Sequence, residues 1–179
     1  MKIITEKGDG QMTRSGLMVG DNEHHVQNEM LAVGSAAPDF ALIANDLSSR
    51  SLADFGDKVK VISVIPSIDT GVCADQTRRF NTEAASLDNT VVLTVSADMP
   101  FALGRFCGAE GIDNTETLST QRDMAFADDY GVHDTEWRIC QRAVFVLDRD
   151  NIVRHAEYVP IIGNEVDYDA ALAKAKELA

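Results

Sequence analysis

Residues 58–73 read KVKVISVIPSIDTGVC. After Lys60 the first half is almost continuously apolar and β-branched, Val61-Ile62-Ser63-Val64-Ile65. A strand covered on both faces of a sheet reads this way, because neither face calls for polar residues. Pro66 removes a backbone donor and ends the run. Ser67–Val72 then forms a loop that delivers the chain to a helix beginning near Cys73. Phe80, Ala84 and Leu87 fall at i, i+4 and i+7 on one face of that helix, and Asp88-Asn89 breaks it. Thr90–Ala97 (TVVLTVSA) is the next buried-strand candidate. Strand, crossover helix and second buried strand make a βαβ unit and therefore a parallel pair.

Working outward, Ala37–Leu42 leads into a short strand on the N-terminal side. Beyond Ala97, Asp98 is placed to cap a helix with Pro100 in its first turn and Gly108 near its end. Leu118-Ser119-Thr120 reads as a short strand, and Met124–Tyr130 as a helix closed by Gly131. Arg142–Asp148 and Ile152–Val159 flank Arg149-Asp150-Asn151 as an antiparallel hairpin, and Val166–Leu178 is a closing helix. This order predicts an α/β fold, a thioredoxin-like three-layer sandwich around a central mixed sheet. Residues 1–30 are more polar and read as an N-terminal extension to a domain spanning 31–179. Ile3–Ile4 and Leu17–Val19 are placed to form a β-hairpin, whereas Asp21–Glu29 reads as an exposed loop or arm.

Composition narrows the function. The chain has 179 residues, enough for one core. Sixteen basic against 29 acidic side chains give a net charge of −13, which argues against nucleic-acid or anionic-membrane binding. No stretch has the length of a membrane span, and the first residues carry no apolar signal core, so the expected location is the cytoplasm. The three cysteines, Cys73, Cys107 and Cys140, do not form a secreted disulfide framework or a C-x-x-C pair. His24, His25, His133 and His155 show no ligand spacing and are read as surface residues. No phosphate loop or Ser-His-Asp set is present, and no cofactor or metal is expected.

Cys73 is the residue to weigh. First-turn N–H groups of a helix lack internal partners and favour an anion, so a thiol there ionises more readily and becomes a nucleophile. The bland alternative is a small side chain packed under the sheet. Likewise Thr70 could make only a turn hydrogen bond, Pro66 could only end a strand, and Arg142, at a strand start, could point to solvent. Cys140 lies two positions before Arg142, which in a strand puts both on one face; it is either near a site or simply buried beside Ile139.

Pro66-x-x-x-Thr70-x-x-Cys73 resembles the active-site motif of the peroxiredoxins. PSIDTGVCA (66–74) resembles one branch of them, the bacterial thiol peroxidases, which are atypical two-cysteine enzymes. Ser96–Phe101 and Gly104–Gly111, with Cys107 inside the latter, resemble the same branch, as do Leu118–Thr120, Arg142–Asp148 and Asp167–Leu172. The resemblance runs from about Gly34 to the C-terminus; the first 30 residues are longer and more polar than that branch implies.

The resemblance implies roles. Cys73 would attack the peroxide and become a sulfenic acid. Thr70 and Arg142 would bind and polarise the O–O unit, and Pro66 would shield the thiolate. Cys107 would resolve the sulfenic acid as an intrachain Cys73–Cys107 disulfide, thioredoxin would reduce it, and the enzyme would be a homodimer acting on hydrogen peroxide and organic hydroperoxides. Three alternatives stand beside this: a redox sensor using the same disulfide, a non-catalytic thioredoxin-like interaction module, and a one-cysteine peroxidase that ignores Cys107.

Overall fold

A computed structural model describes residues 4–7 and 11–179, with side chains from residue 12 onward. Three short strands come first: β1 (Ile4–Lys7), β2 (Gln11–Val19) and β3 (Asn22–Gln27). Then come β4 (Leu42–Ala44), β5 (Ser49–Arg50), a 3₁₀ turn at Leu52–Phe55, β6 (Val59–Val64), α1 (Gly71–Ala84) and β7 (Thr90–Ser96). The chain continues through α2 (Pro100–Glu110), β8 (Thr115–Ser119), α3 (Ala125–Asp129), β9 (His133–Asp134) and β10 (Ile139–Cys140). It closes with β11 (Ala143–Leu147), β12 (Val153–Tyr158) and α4 (Tyr168–Leu178).

The central sheet has seven strands in the order β12-β11-β6-β7-β8-β4-β5. β6, β7 and β8 are parallel, and the flanking strands are antiparallel, so the sheet is mixed as expected. All six residues of β6 are buried, including Lys60, whose Nζ donates to Gly56 O at 2.7 Å. The strand alternates between two cores. Ile62 and Val64 join Leu93, Val95 and Phe145 on one face, which α3 covers with Phe126 and Ala127. Val59 and Val61 join Val92, Val144 and Val146 on the other, which α1 and α4 cover with Phe80, Leu172 and Ala175. These are the three layers of a thioredoxin-like sandwich.

The helices depart from the sequence in two places. α1 stops at Ala84, and Leu87 reaches the same core from the turn beyond it, where its N–H donates to Ala84 O at 3.1 Å. α2 is capped by Met99 rather than by the carboxylate of Asp98. That carboxylate accepts instead from Ser67 Oγ and Ile68 N, whose loop offers donors that would otherwise go unpaired.

The N-terminal strands form a second sheet, β1-β2-β3-β9-β10. β1 pairs with β2 from Ile4↔Arg14 to Lys7↔Gln11, a hairpin in the expected region; Ile3 lies outside the described residues. The expectation of an exposed arm over 21–29 is corrected, because Asn22–Gln27 is β3, paired with β2 and, through Val26↔Asp134, with β9. The surface reading of the histidines is corrected too. His24 is buried with its Nδ1 2.7 Å from Asp134 Oδ2, and His133 is largely buried with its Nδ1 2.6 Å from Asp128 Oδ1. His155 is half-buried, and burial lowers its pKa. His25 is the exposed one, against Glu136. The His24 partner lies 110 positions along the chain, so no local spacing could reveal it. Among the described residues, no helix is long and apolar enough to cross a membrane.

Candidate active site

β6 aims the chain at the site. Ile65 N still donates to Val95 O at 3.0 Å, and Pro66 then turns the chain out of the sheet. The loop after it is held from one side by Asp98. Its Oδ1 accepts from Ser67 Oγ at 2.8 Å, and its Oδ2 from Ile68 N and Ser96 Oγ, both at 2.7 Å. Ser67 O in turn accepts from Thr70 N at 3.2 Å and Thr70 Oγ1 at 3.3 Å. Thr70 is therefore an extended N-cap residue (φ −102°, ψ 148°), and its side chain makes no cap bond to α1. Cys73 sits in the first helical turn, where backbone donors and dipole favour negative charge.

Cys73 is fully buried, in a small cluster with Ile65, Ile68 and Leu103. Arg142 comes from the short link between β10 and β11 and is only 2% exposed. Its Nη2 donates to Cys73 Sγ at 3.3 Å and to Ile162 O at 3.1 Å; its Nε donates to Ile162 O at 3.2 Å. Its Nη1 donates to Gln76 Oε1 at 2.7 Å, while Gln76 Nε2 donates to Ser63 Oγ at 2.8 Å. Among these partners only the sulfur can ionise. The guanidinium is thus fixed by neutral oxygens and faces the one group able to supply its countercharge.

Above these residues opens a cavity of about 450 Å³. Thr70 and Arg142 supply its polar edge; Val19, Pro66, Val72, Trp137, Ile139 and Ile162 make an apolar wall. The sequence motif accounts for Pro66, Thr70, Cys73 and Arg142 meeting here. It does not reveal Gln76, Val19, Trp137 or Ile162. Gln76 left one trace: at i+3 from Cys73 it shares that residue's helix face. Val19 and Trp137 arrive with the second sheet, whose pairing joins distant parts of the chain.

Cys107 faces elsewhere. It is half-buried on α2, with its Sγ 3.4 Å from Thr117 Oγ1, and it lines a separate polar cleft of about 480 Å³ with Asn45, Arg50 and Glu116. All three cysteines are free thiols. Cys140 is wholly buried in the large core beneath Tyr130 and Phe145, apart from the Cys73 cluster. Burial, and then the nearby Asp98, push its thiol pKa far up. The one gathering of potential metal ligands among the described residues is His24, Asp134 and Glu136, with ligand atoms within 4.8 Å of one another. These are already occupied: Asp134 by His24 and the Glu136 N–H, and Glu136 by His25.

Residues 32–172 match the family model described as Redoxin. The chain is 57% identical over 150 residues to the thiol peroxidase of Streptococcus pneumoniae, covering 84% of this chain and 92% of that protein. It is 54% identical over 146 residues to the thiol peroxidase of Bacillus subtilis, covering 82% and 87%. Among solved structures it resembles a peroxiredoxin-like protein from Aquifex aeolicus, with a TM-score of 0.80, 36% identity, and coverage of 88% of this chain and 94% of that one.

Proposed function

The chain belongs to the redoxin family, among its thiol peroxidases, and from that premise we propose that it reduces hydrogen peroxide and organic hydroperoxides with Cys73. The observation that carries this reading is the Arg142 Nη2 donor 3.3 Å from Cys73 Sγ, at the edge of an apolar cavity. The Cys73 thiolate attacks the nearer peroxide oxygen. The S–O bond forms as the O–O bond breaks, leaving Cys73 a sulfenic acid and an alkoxide that takes a proton to become the alcohol. Charge grows on the departing oxygen, so a donor already fixed in place lowers the barrier without reorganising. Arg142, Thr70 and the first-turn N–H groups of α1 are those donors, while Pro66 keeps water from the thiolate. The apolar wall suits the carbon portion of an organic hydroperoxide.

Cys107 then attacks the sulfenic sulfur, and the Cys73–Cys107 disulfide forms as water leaves. Cys73 is buried and Cys107 faces a different cleft, so the ends of α1 and α2 must open locally for the sulfurs to meet. Thioredoxin, a dithiol, supplies the two electrons and two protons that restore both thiols. The catalytic unit is residues 31–179, with 1–30 as an extension that lends Val19 to the cavity wall. In this reading the enzyme works in the cytoplasm as a homodimer and needs no metal, nucleic acid or membrane.

The test is peroxide-dependent NADPH oxidation coupled through thioredoxin and its reductase. Many turnovers per chain are expected, and none from Cys73→Ser, whose hydroxyl is a poor nucleophile toward peroxide. Full activity in Cys73→Ser would end the hypothesis, and a single oxidation without cycling would indicate a sensor.

A further inference from the structure

We propose that Thr117 and Asn45 are positioning residues for Cys107. Their hydrogen-bonded pair docks the second thiol against β8 while Cys73 is reduced, and undocking sets the rate of disulfide closure. The inference rests on the reading of Cys107 as the resolving group.

Thr117 is 1% exposed, on the central sheet, and its Oγ1 lies 3.4 Å from Cys107 Sγ. Asn45 Nδ2 donates to Thr117 Oγ1 at 2.9 Å and reaches Cys107 Sγ at 4.0 Å. Asn45 follows β4 and Thr117 belongs to β8, two strands paired in the sheet, so the dock is part of the rigid scaffold while the thiol rides on a helix. Gly104, one turn before Cys107, lets α2 close on the dock. A Cβ there would stand 3.6 Å from the Asn45 Cβ, whereas one at Gly108 would meet open space. The other side-chain tether of this end of α2 is the Arg78–Glu110 ion pair, 2.9 Å long and solvent-exposed. Such pairs hold weakly. A hydroxyl buried beneath the helix loses its partner when the helix lifts, and that loss is not repaid until water enters.

Closure must therefore include release of Sγ from Thr117. The freed thiol gives up its proton, the S–S bond forms as the Cys73 S–O bond breaks, and the departing hydroxide leaves with that proton as water. Until then Cys73 stays a sulfenic acid, which a second hydroperoxide converts to sulfinic acid while itself becoming the alcohol. A tighter dock favours over-oxidation, and a looser one favours the disulfide.

Thr117→Val keeps the β-branched shape and removes the hydroxyl; Asn45→Ala, at an exposed position, disturbs the pair without altering the sheet. Rapid mixing with peroxide separates sulfenic-acid formation from closure, followed by Trp137, the chain's single tryptophan and part of the Cys73 cavity wall. Both variants should leave the first phase unchanged and accelerate the second about three- to tenfold, the scale of one net hydrogen bond. The peroxide concentration that over-oxidises half the chains should rise by the same factor. A second phase that is unchanged or slower in both variants overturns the proposal. Peptide mapping of the oxidised wild-type protein separates the two levels: absence of a Cys73–Cys107 link removes the underlying reading itself, before either variant is considered.

Discussion

Arg142 is a buried cation held by carbonyl and amide oxygens and by sulfur, and that selection of partners gives it its place in the reaction. A carboxylate in the Ile162 or Gln76 position would neutralise it and draw it from the sulfur. Arg142→Met keeps much of the apolar stem and removes the charge and its donors. The second-order rate of Cys73 with hydroperoxide is expected to fall by about 10²-fold or more, the scale of losing a preorganised stabiliser. Stopped-flow measurement with an unchanged rate would leave Arg142 a purely structural role. The reacting residues were legible because they lie in short, ordered motifs: Pro66, Thr70 and Cys73 within one loop and turn, and Arg142 at the head of an apolar strand. Gln76 was not, since its function is a contact with a side chain 66 positions away. An amide in a helix is ordinarily read as surface.

The elements repeat that contrast. β6, β7 and β11 were plain in the sequence because strands buried on both faces leave unbroken apolar runs. β9 and β10, of two residues each, are too short to show alternation, and β3 carries its burial on histidine and glutamine as well as valine. Asp98 illustrates a different failure. Its position before Pro100 fits a helix cap, yet three donors from the Ser67 loop and β7 compete for it and win. α2 carries the prediction at this scale. In Cys107→Ser, Cys73 should still react once with peroxide, since that attack does not involve the second sulfur. Cycling with thioredoxin should collapse, and sulfinic acid should accumulate on Cys73 by mass spectrometry. Normal cycling in Cys107→Ser, or a mapped Cys73–Cys140 link in the wild type, would replace the two-cysteine mechanism. The second outcome would also require Cys140 to leave the main core.

At the scale of the whole molecule, the question is how the N-terminal sheet is fastened to the sandwich, because Val19 and Trp137 of that region wall the Cys73 cavity. Three attachments stand out. Arg14, 2% exposed, donates from Nη2 to Gly131 O and Gln141 Oε1, both at 2.6 Å, and its guanidinium lies over the Tyr158 ring. Gly131 has φ 63°, and a Cβ there would fall 2.1 Å from Glu29 O, so the incoming chain crosses where only glycine fits. Gly131→Ala is expected to destabilise by about 2 kcal/mol or more, combining strain with displaced backbone. Gly20→Ala, also at positive φ but in open space, should cost only about 1–2 kcal/mol; equal urea midpoints for the two would refute the crowding. The third attachment is titratable. Burial works against the Glu136 carboxylate, but hydrogen bonds from the His25 ring and backbone outweigh it and hold its pKa down to about 2, from an ordinary 4.5. A carboxylate whose folded pKa is depressed contributes stability that is complete above its unfolded pKa. That contribution drains away as pH falls from about 4.5 toward 2. Both side chains are more than a third exposed, at 43% and 36%, so solvent and salt screen the gain to a modest one. Glu136→Gln removes the titrating group. It should be less stable than wild type at pH 6, and the gap should close as pH falls from 4.5 to 3, when the wild-type carboxylate loses its advantage. Urea unfolding followed by Trp137, the residue next to Glu136, measures both proteins at each pH. A gap that stays constant with pH would mean that His25 and Glu136 only touch, and that the acid sensitivity of this sheet resides in another group.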